Sequence, residues 1–369
     1  MSLPVVNHRR ALHRIPELDN QLPETTAYVK CVLQGLPCTV TSPVEGSVCA
    51  FFDAGREDSV AFRADMDALS VPEETGLPFA SLHEGWMHAC GHDGHTAIAL
   101  SLAEYAAENL SRLPHNVLFL FQPSEETTGG AKKLCETGIL ETCRVLRIFG
   151  LHLWPGLAAG EIWSRPGPLM ARTSEVTAEI LGKSVHISKA SQGRDALLAG
   201  MEFLHRVYAM AETELPAEEP RVLRFGKMES GSVRNAVSGR TLLLGTLRTY
   251  SEDSYAFLKR RLNEIGGAVA EETGCAVSVR VNEGYPAVMN DAALLAELRR
   301  RLGEDAIHLL PEPVLAAEDF SFYQRAVPGV FFFLGIGNTP ELHAPTFKFN
   351  DEEILPRGLD FMKRLLLLE

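Results

Sequence analysis

The sequence predicts an α/β domain with a smaller, ferredoxin-like α+β domain inserted into it. Three observations predict this. Four apolar runs, at 60–62, 117–121, 145–149 and 330–334, lack the alternation of a half-wet strand. Such runs belong to the centre of a mostly parallel sheet covered on both faces. Helical patterns separate them, and strand–helix alternation marks an α/β architecture. Between 172 and 283 the texture changes to alternating strands, after which the α/β pattern resumes. The predicted division is 1–171 with 284–369 as one discontinuous domain and 172–283 as the insertion.

In the larger domain, Ile98, Leu102 and Tyr105 recur at helical spacing among Ala97, Ala103 and Ala106, which predicts a helix after the Cys- and His-rich segment 87–95. In the insertion, Val176, Ala178 and Ile180 alternate with Glu175, Thr177 and Glu179, as in a strand with one wet face. A helix over 195–211, strands over 222–228 and 241–249, and a helix over 252–272 capped by Ser251 follow. Val277, Val279 and Val281 alternate in a last strand. The order β-α-β-β-α-β is that of a ferredoxin-like unit.

Composition narrows the function. The 369 residues carry a net charge of -13, and phosphate backbones need a basic footprint, so a nucleic-acid partner is excluded. No apolar run reaches membrane length; the four leucines at 365–368 are far too few. Residues 1–14 hold no apolar core, so no signal peptide is expected. Seven scattered cysteines without a C-x-x-C pair predict a cytoplasmic protein with free thiols.

The densest chemistry lies in Met87-His88-Ala89-Cys90-Gly91-His92-Asp93-Gly94-His95. Thiolate, imidazole and carboxylate together are what a divalent transition metal selects. Further donors follow the buried runs. The first ends in Asp65 and Asp67, the second in Gln122-Pro123-Ser124-Glu125-Glu126, the third in Leu151-His152-Leu153, and the fourth precedes His343. Ligands of open α/β sheets bind just beyond the strands' carboxyl ends, so these residues can converge on one rim. The ligand candidates for a two-metal site are Cys90, His92, Glu126, His152 and His343. A helix following Cys90, and a bound metal itself, are expected to favour its thiolate. Adjacent carboxylates repel, so Glu125 and Glu126 need separate tasks: Glu126 as ligand, Glu125 as the base that deprotonates water. Asp65 and Asp67 either orient ligands or form turns. His83-Glu84 precedes His88 by one residue too many for the zincin spacing, and no dinucleotide fingerprint or G-x-S-x-G elbow occurs.

These residues resemble the aminoacylase/amidohydrolase branch of the cocatalytic metallopeptidases, which includes N-acyl-amino-acid deacylases, hippurate hydrolases and auxin-conjugate hydrolases. The likeness runs nearly end to end. It covers Leu12-His13-Arg14-Ile15-Pro16-Glu17-Leu18, Phe62-Arg63-Ala64-Asp65-Met66-Asp67-Ala68-Leu69, the Cys90 segment, Gln122-Pro123-Ser124-Glu125-Glu126, Gly150-Leu151-His152, Ala317-Glu318-Asp319-Phe320-Ser321 and Leu342-His343-Ala344-Pro345. The resemblance implies a phosphorylase/hydrolase-like zinc-peptidase catalytic domain with an inserted lid or dimerisation domain. It implies two divalent ions (zinc, manganese, cobalt or nickel) on Cys90, His92, Glu126, His152 and His343, with Glu125 as base. It further implies that His186 stabilises the oxyanion, that Asn235 binds substrate, and that the chain forms a homodimer through the insertion. Two departures fall there: no Pro-His pair follows His186, and the usual Asn-Val-Ile-Pro reads Asn235-Ala236-Val237-Ser238. The expected activity is hydrolysis of an N-acyl, often N-acetyl, amino acid. The rivals are a thiol hydrolase with Cys90 as nucleophile and a non-catalytic sensor of metal or acyl amino acid.

Overall fold

The computed structural model describes residues 3–216 and 218–369. They fall into two compact units. One comprises the chain to Leu169 with Val288–Pro313 and Asp319–Glu369; the other comprises Met170–Ala287 with Val314–Glu318.

The first unit is built on an eight-stranded sheet in the order Thr39–Thr41, Val48–Phe52, Asn116–Gln122, Ser59–Asp65, Val145–Trp154, Gly329–Gly335, Ile162–Ser164, His308–Leu309. The four apolar runs form its parallel centre. Three of those strands are buried at every residue, which removes any pressure for alternation. Their aromatic rings pack together: Phe62 lies 5.8 Å from Phe119 and 5.6 Å from Phe149, within the favourable range for aromatic pairs. The flanks are antiparallel, with Val48–Phe52 against Asn116–Gln122 and Ile162–Ser164 against Gly329–Gly335. Parallel pairing therefore holds the centre and returns at the far edge, where His308–Leu309 runs parallel to Ile162–Ser164, so the sheet is mostly parallel as the sequence predicts.

Register sets the working edge. Asp65 pairs with Gln122, and His152 pairs with Phe333. The parallel strands thus end near one level, and the residues after them emerge along one rim. The helix His92–Glu108 starts there. Ala97, Ile98, Leu100, Leu102, Ala103 and Ala106 are all buried, so this helix is covered nearly all round. It packs against the helices Pro4–His13 and Asp351–Leu366. Gly91, just before it, has φ +87°, and a Cβ at that position would lie 2.9 Å from Leu153 Cδ1. Only glycine meets both demands.

The second unit carries an antiparallel sheet in the order Ala276–Val281, Arg172–Leu181, Arg240–Thr249, Val222–Ser230. The helices Ala196–Thr213 and Glu252–Thr273 bury Phe203, Val207, Leu258 and Leu262 with Val176, Ala178, Ile180 and Leu243 of the sheet. Connectivity and strand order are ferredoxin-like. Asp195 and Ser251 cap the two helices, accepting from Leu197 and Leu198 N–H and from Ser254 N–H. The edge strand Val222–Ser230 is mostly exposed. No described helix is long and apolar enough to cross a membrane.

Candidate metal centre

At the rim of the first unit the five ligand candidates come together. Cys90 Sγ lies 3.4 Å from His152 Nε2. Glu126 Oε1 lies 3.2 Å from His343 Nε2 and 3.7 Å from His92 Nε2. Cys90 belongs to two triads of potential ligands: with His92 and His152, and with Glu126 and His343. Within each, the ligating atoms lie within 4.8 Å of one another. Glu125 joins His92 and Glu126 in a third. Cys90, His92 and His152 are buried, while His343 is exposed.

The hydrogen bonds around these side chains leave lone pairs directed inward. His92 Nδ1 sits 2.8 Å from the Asp67 carbonyl oxygen, and His152 Nδ1 sits 2.7 Å from the Leu153 carbonyl. A carbonyl only accepts, so each Nδ1 donates and each Nε2 is left to face the centre, the arrangement seen in metal-binding histidines. His92 Nε2 and Glu126 Oε1 are buried and make no aligned hydrogen bond, a condition that costs free energy unless something else is bound there. These donors fit a divalent cation.

The electrostatics point the same way. Burial disfavours charge on His92, but Asp65, Asp67 and Glu126 outweigh it and lift its pKa to about 10. Burial likewise opposes ionisation of Glu126, yet His343 and His92 hold its carboxyl below the ordinary range. The surroundings therefore favour positive charge beside carboxylate. Cys90 departs from expectation. Burial, then Glu126 and Glu125, push its thiol well above the usual value. A thiolate at this position needs a cation, and an unassisted thiolate nucleophile is disfavoured.

Both aspartates are occupied in support. Asp67 Oδ1 accepts from the Glu125 N–H and Oδ2 from the Glu126 N–H, each at 3.0 Å. It holds the two glutamates by their backbone. Asp65 Oδ1 accepts from His95 Nδ1 at 2.7 Å, and Oδ2 from Arg63 Nη1 at 2.8 Å. Burial opposes its charge, but Arg63, His92 and His95 keep it well below the carboxylate range. The backbone is strained here. Among the described residues four non-glycine positions have positive φ: Asp19 (57°), Ser124 (60°), Arg144 (49°) and His343 (66°). Ser124 immediately precedes Glu125, His343 is a ligand candidate, and the Asp19 carbonyl accepts the Ser124 N–H at 3.1 Å. Each such conformation costs ~1–3 kcal/mol and persists where surroundings over-determine it.

His186 and Asn235 lie in the second unit. They neighbour each other: His186 bridges Ala236, and the Ile187 N–H donates to the Asn235 carbonyl at 2.9 Å. The Ser188 N–H donates to His186 Nδ1 at 3.3 Å, which leaves Nε2 as the protonated, donating nitrogen. Both residues are exposed.

Sequence reasoning gave no role to His95, Arg63 or Asp319. His95 Nε2 accepts the Leu153 N–H at 2.9 Å, so with Nδ1 on Asp65 both nitrogens are committed and it supports the centre without joining it. Arg63 follows the apolar run Val60-Ala61-Phe62 in a strand buried at every residue. That is the signal that could have found it, because arginine is almost never fully buried unpaired.

Residues 61–368 match a family-wide sequence model, peptidase family M20/M25/M40. An N-acetyldiaminopimelate deacetylase from Lacticaseibacillus casei is 35% identical over 364 residues, 95% of this chain and 94% of that protein. A dinuclear metal binding peptidase of the M20 family from Bacillus subtilis superposes with a TM-score of 0.85 at 30% identity, covering 98% of this chain and 96% of the other. A chain from methicillin-resistant Staphylococcus aureus superposes at 0.93 with 28% identity, covering 99% and 95%.

Proposed function

The chain belongs to peptidase family M20/M25/M40, a metal-dependent hydrolase family, and we propose that it cleaves the amide bond of an N-acyl amino acid. Within that class the likeness to an N-acetyldiaminopimelate deacetylase puts N-acetyldiaminopimelate first among substrates to test. The observation that carries the reading is the pair of triads sharing Cys90, with Glu125 beside them on the Asp67 platform.

In this reading Cys90, His92, Glu126, His152 and His343 hold two divalent ions. Bound ions supply Lewis acidity, polarising the scissile carbonyl and lowering the pKa of water from ~15.7 to about 7. Glu125 accepts the proton of the attacking water and returns it to the departing amine nitrogen. Asp67 keeps Glu125 in place through its backbone N–H. His186 donates from Nε2 to the developing oxyanion, and Asn235 binds the substrate; loss of one such donor typically costs ~10²–10³ in rate. The altered residues after His186 and Asn235 bear on which acyl group and amino acid are accepted, and leave the bond-breaking groups untouched. The second unit is read as a lid and as the dimer contact. Its exposed edge strand Val222–Ser230, with Met228 exposed on it and Val233 exposed just beyond, supports the latter, because an open edge invites pairing with a second copy.

Two rivals are weaker. A thiol hydrolase needs Cys90 ionised without help, against the upward push on its thiol. A sensor has no use for Glu125 poised beside Glu126. The test is a panel of N-acetyl, N-succinyl and N-benzoyl amino acids, N-acetyldiaminopimelate included, assayed for amine release with manganese, zinc, cobalt or nickel. Metal-dependent turnover on at least one is expected. Tight binding without turnover on any would favour the sensor.

A further inference from the structure

We propose that Arg63 is a positioning residue of the metal centre: its guanidinium, clamped between Asp65 and Asp319, fixes the placement of His152 and so sets the affinity of the site for divalent cations. This rests on the reading of the rim as a metal site.

Arg63 lies in the fully buried strand Ser59–Asp65 and is 3% exposed. Its donors go in three directions. Nε donates to Gln122 Oε1 at 2.9 Å, Nη1 to Asp65 Oδ2 at 2.8 Å and Nη2 to Asp319 Oδ1 at 2.8 Å. A planar fork of fixed geometry serves three acceptors at once; an ammonium on a flexible stem does not.

Each carboxylate passes the constraint on. Asp65 Oδ1 takes the His95 Nδ1–H, and His95 Nε2 takes the N–H of Leu153. Leu153 follows His152 directly, and its carbonyl accepts the His152 Nδ1–H. The line Arg63–Asp65–His95–Leu153–His152 therefore runs from the strand to a candidate ligand without a gap. Asp65 Oδ2 also stands 3.6 Å from His92 Nε2. On the other side, Asp319 Oδ2 accepts from Gln122 Nε2 at 2.8 Å and from the Ala131 N–H at 3.0 Å, which ties down the segment following Glu125 and Glu126.

Two effects of removing the guanidinium have opposite signs, and this makes the proposal decidable. As a bare charge, Arg63 repels cations, so neutralising it should tighten metal binding. As a clamp, its loss frees Asp65 and His95 and lets His152 drift, which should weaken binding. Removing partners that orient ligands typically costs ~10–100-fold in metal affinity.

The experiment measures Zn²⁺ affinity of the metal-stripped full-length protein by competition with a fluorescent chelator, and the visible spectrum of the Co²⁺-loaded protein. Wild type, Arg63→Lys and Arg63→Met are compared, with Asp319→Asn as a second route that leaves the Arg63–Asp65 contact in place. The clamp predicts ~10–100-fold weaker Zn²⁺ binding in Arg63→Met, an intermediate loss in Arg63→Lys, and a shifted Co²⁺ ligand-field spectrum in both. Should Arg63→Met fail to fold, Arg63→Lys and Asp319→Asn carry the test. Unchanged or tighter Zn²⁺ binding with a wild-type Co²⁺ spectrum in the folded variants overturns the proposal and leaves the metal reading standing. Failure of the wild type to bind Zn²⁺ at all overturns the metal reading instead, and the clamp with it.

Discussion

Asp67→Asn is the most informative single-atom change near the centre. The carboxylate spans two backbone amides, Glu125 N–H and Glu126 N–H, each at 3.0 Å, and is 1% exposed. Asparagine keeps one acceptor oxygen but presents an NH₂ to the second amide. One bond to a charged acceptor, ~1.5–3 kcal/mol, is lost, and one buried N–H is left without a partner at a further ~1–3 kcal/mol. The turn cannot absorb this cheaply, because Ser124 already holds φ 60°. Relaxation moves Glu125 away from its working position. A penalty of only ~3 kcal/mol in the transition state is about a 10²-fold loss of rate at 1.36 kcal/mol per decade. The assay is steady-state amide hydrolysis at saturating metal, with metal content and circular dichroism measured on the same preparation. Expected is a folded, metal-loaded protein with kcat reduced ~10²-fold or more. A fully loaded Asp67→Asn enzyme turning over within a few-fold of wild type would refute the platform role.

Two further outcomes follow from the same structure. Glu73 accepts from His13 Nε2 at 3.3 Å, from the Ser81 N–H at 2.7 Å and from the Thr75 hydroxyl. Burial opposes its charge, but these partners bring its pKa from 4.5 down to about 2. A depressed folded-state pKa stabilises in full above the unfolded value and is lost as pH falls through the folded one. Glu73→Gln should therefore flatten the decline of the urea midpoint between about pH 4.5 and 2, and an unaltered pH profile would contradict the pairing. Chelation should abolish turnover and metal return should restore it, while thiol alkylation of the loaded enzyme should leave activity intact, since Cys90 is buried. Activity that survives metal removal but is lost on alkylation would favour the thiol route.

The five ligand candidates could be named because metal chemistry restricts residue type so sharply: Cys90 and His92 stand in the Met87–His95 segment, Glu126, His152 and His343 follow buried runs, and the structure brings these side chains together. The parallel centre was legible because strands buried on both faces need no alternation. The flanks were not. Thr39–Thr41 is short and exposed, and His308–Leu309 has two residues, too few to display a period. The N-terminal helix Pro4–His13 was read only for its missing apolar core, although Val5, Val6 and Leu12 are buried and Arg9 pairs with Asp93 at 2.9 Å. The supporting network escaped for a related reason. Arg63 and Asp319 are 256 residues apart, and nothing local announces that one neutralises the other. The same holds for His95, whose role is set by Asp65 and by the backbone after His152.

Glu125→Gln offers the sharpest trial of the mechanism, with metal content and amide hydrolysis measured on one sample. The substitution keeps size and the backbone bond to Asp67 but cannot accept a proton. The account predicts a full complement of metal and a rate lower by ~10²–10⁴. Near-normal hydrolysis by the fully loaded variant would mean that another group moves the proton, and the assignment of Glu125 would be wrong.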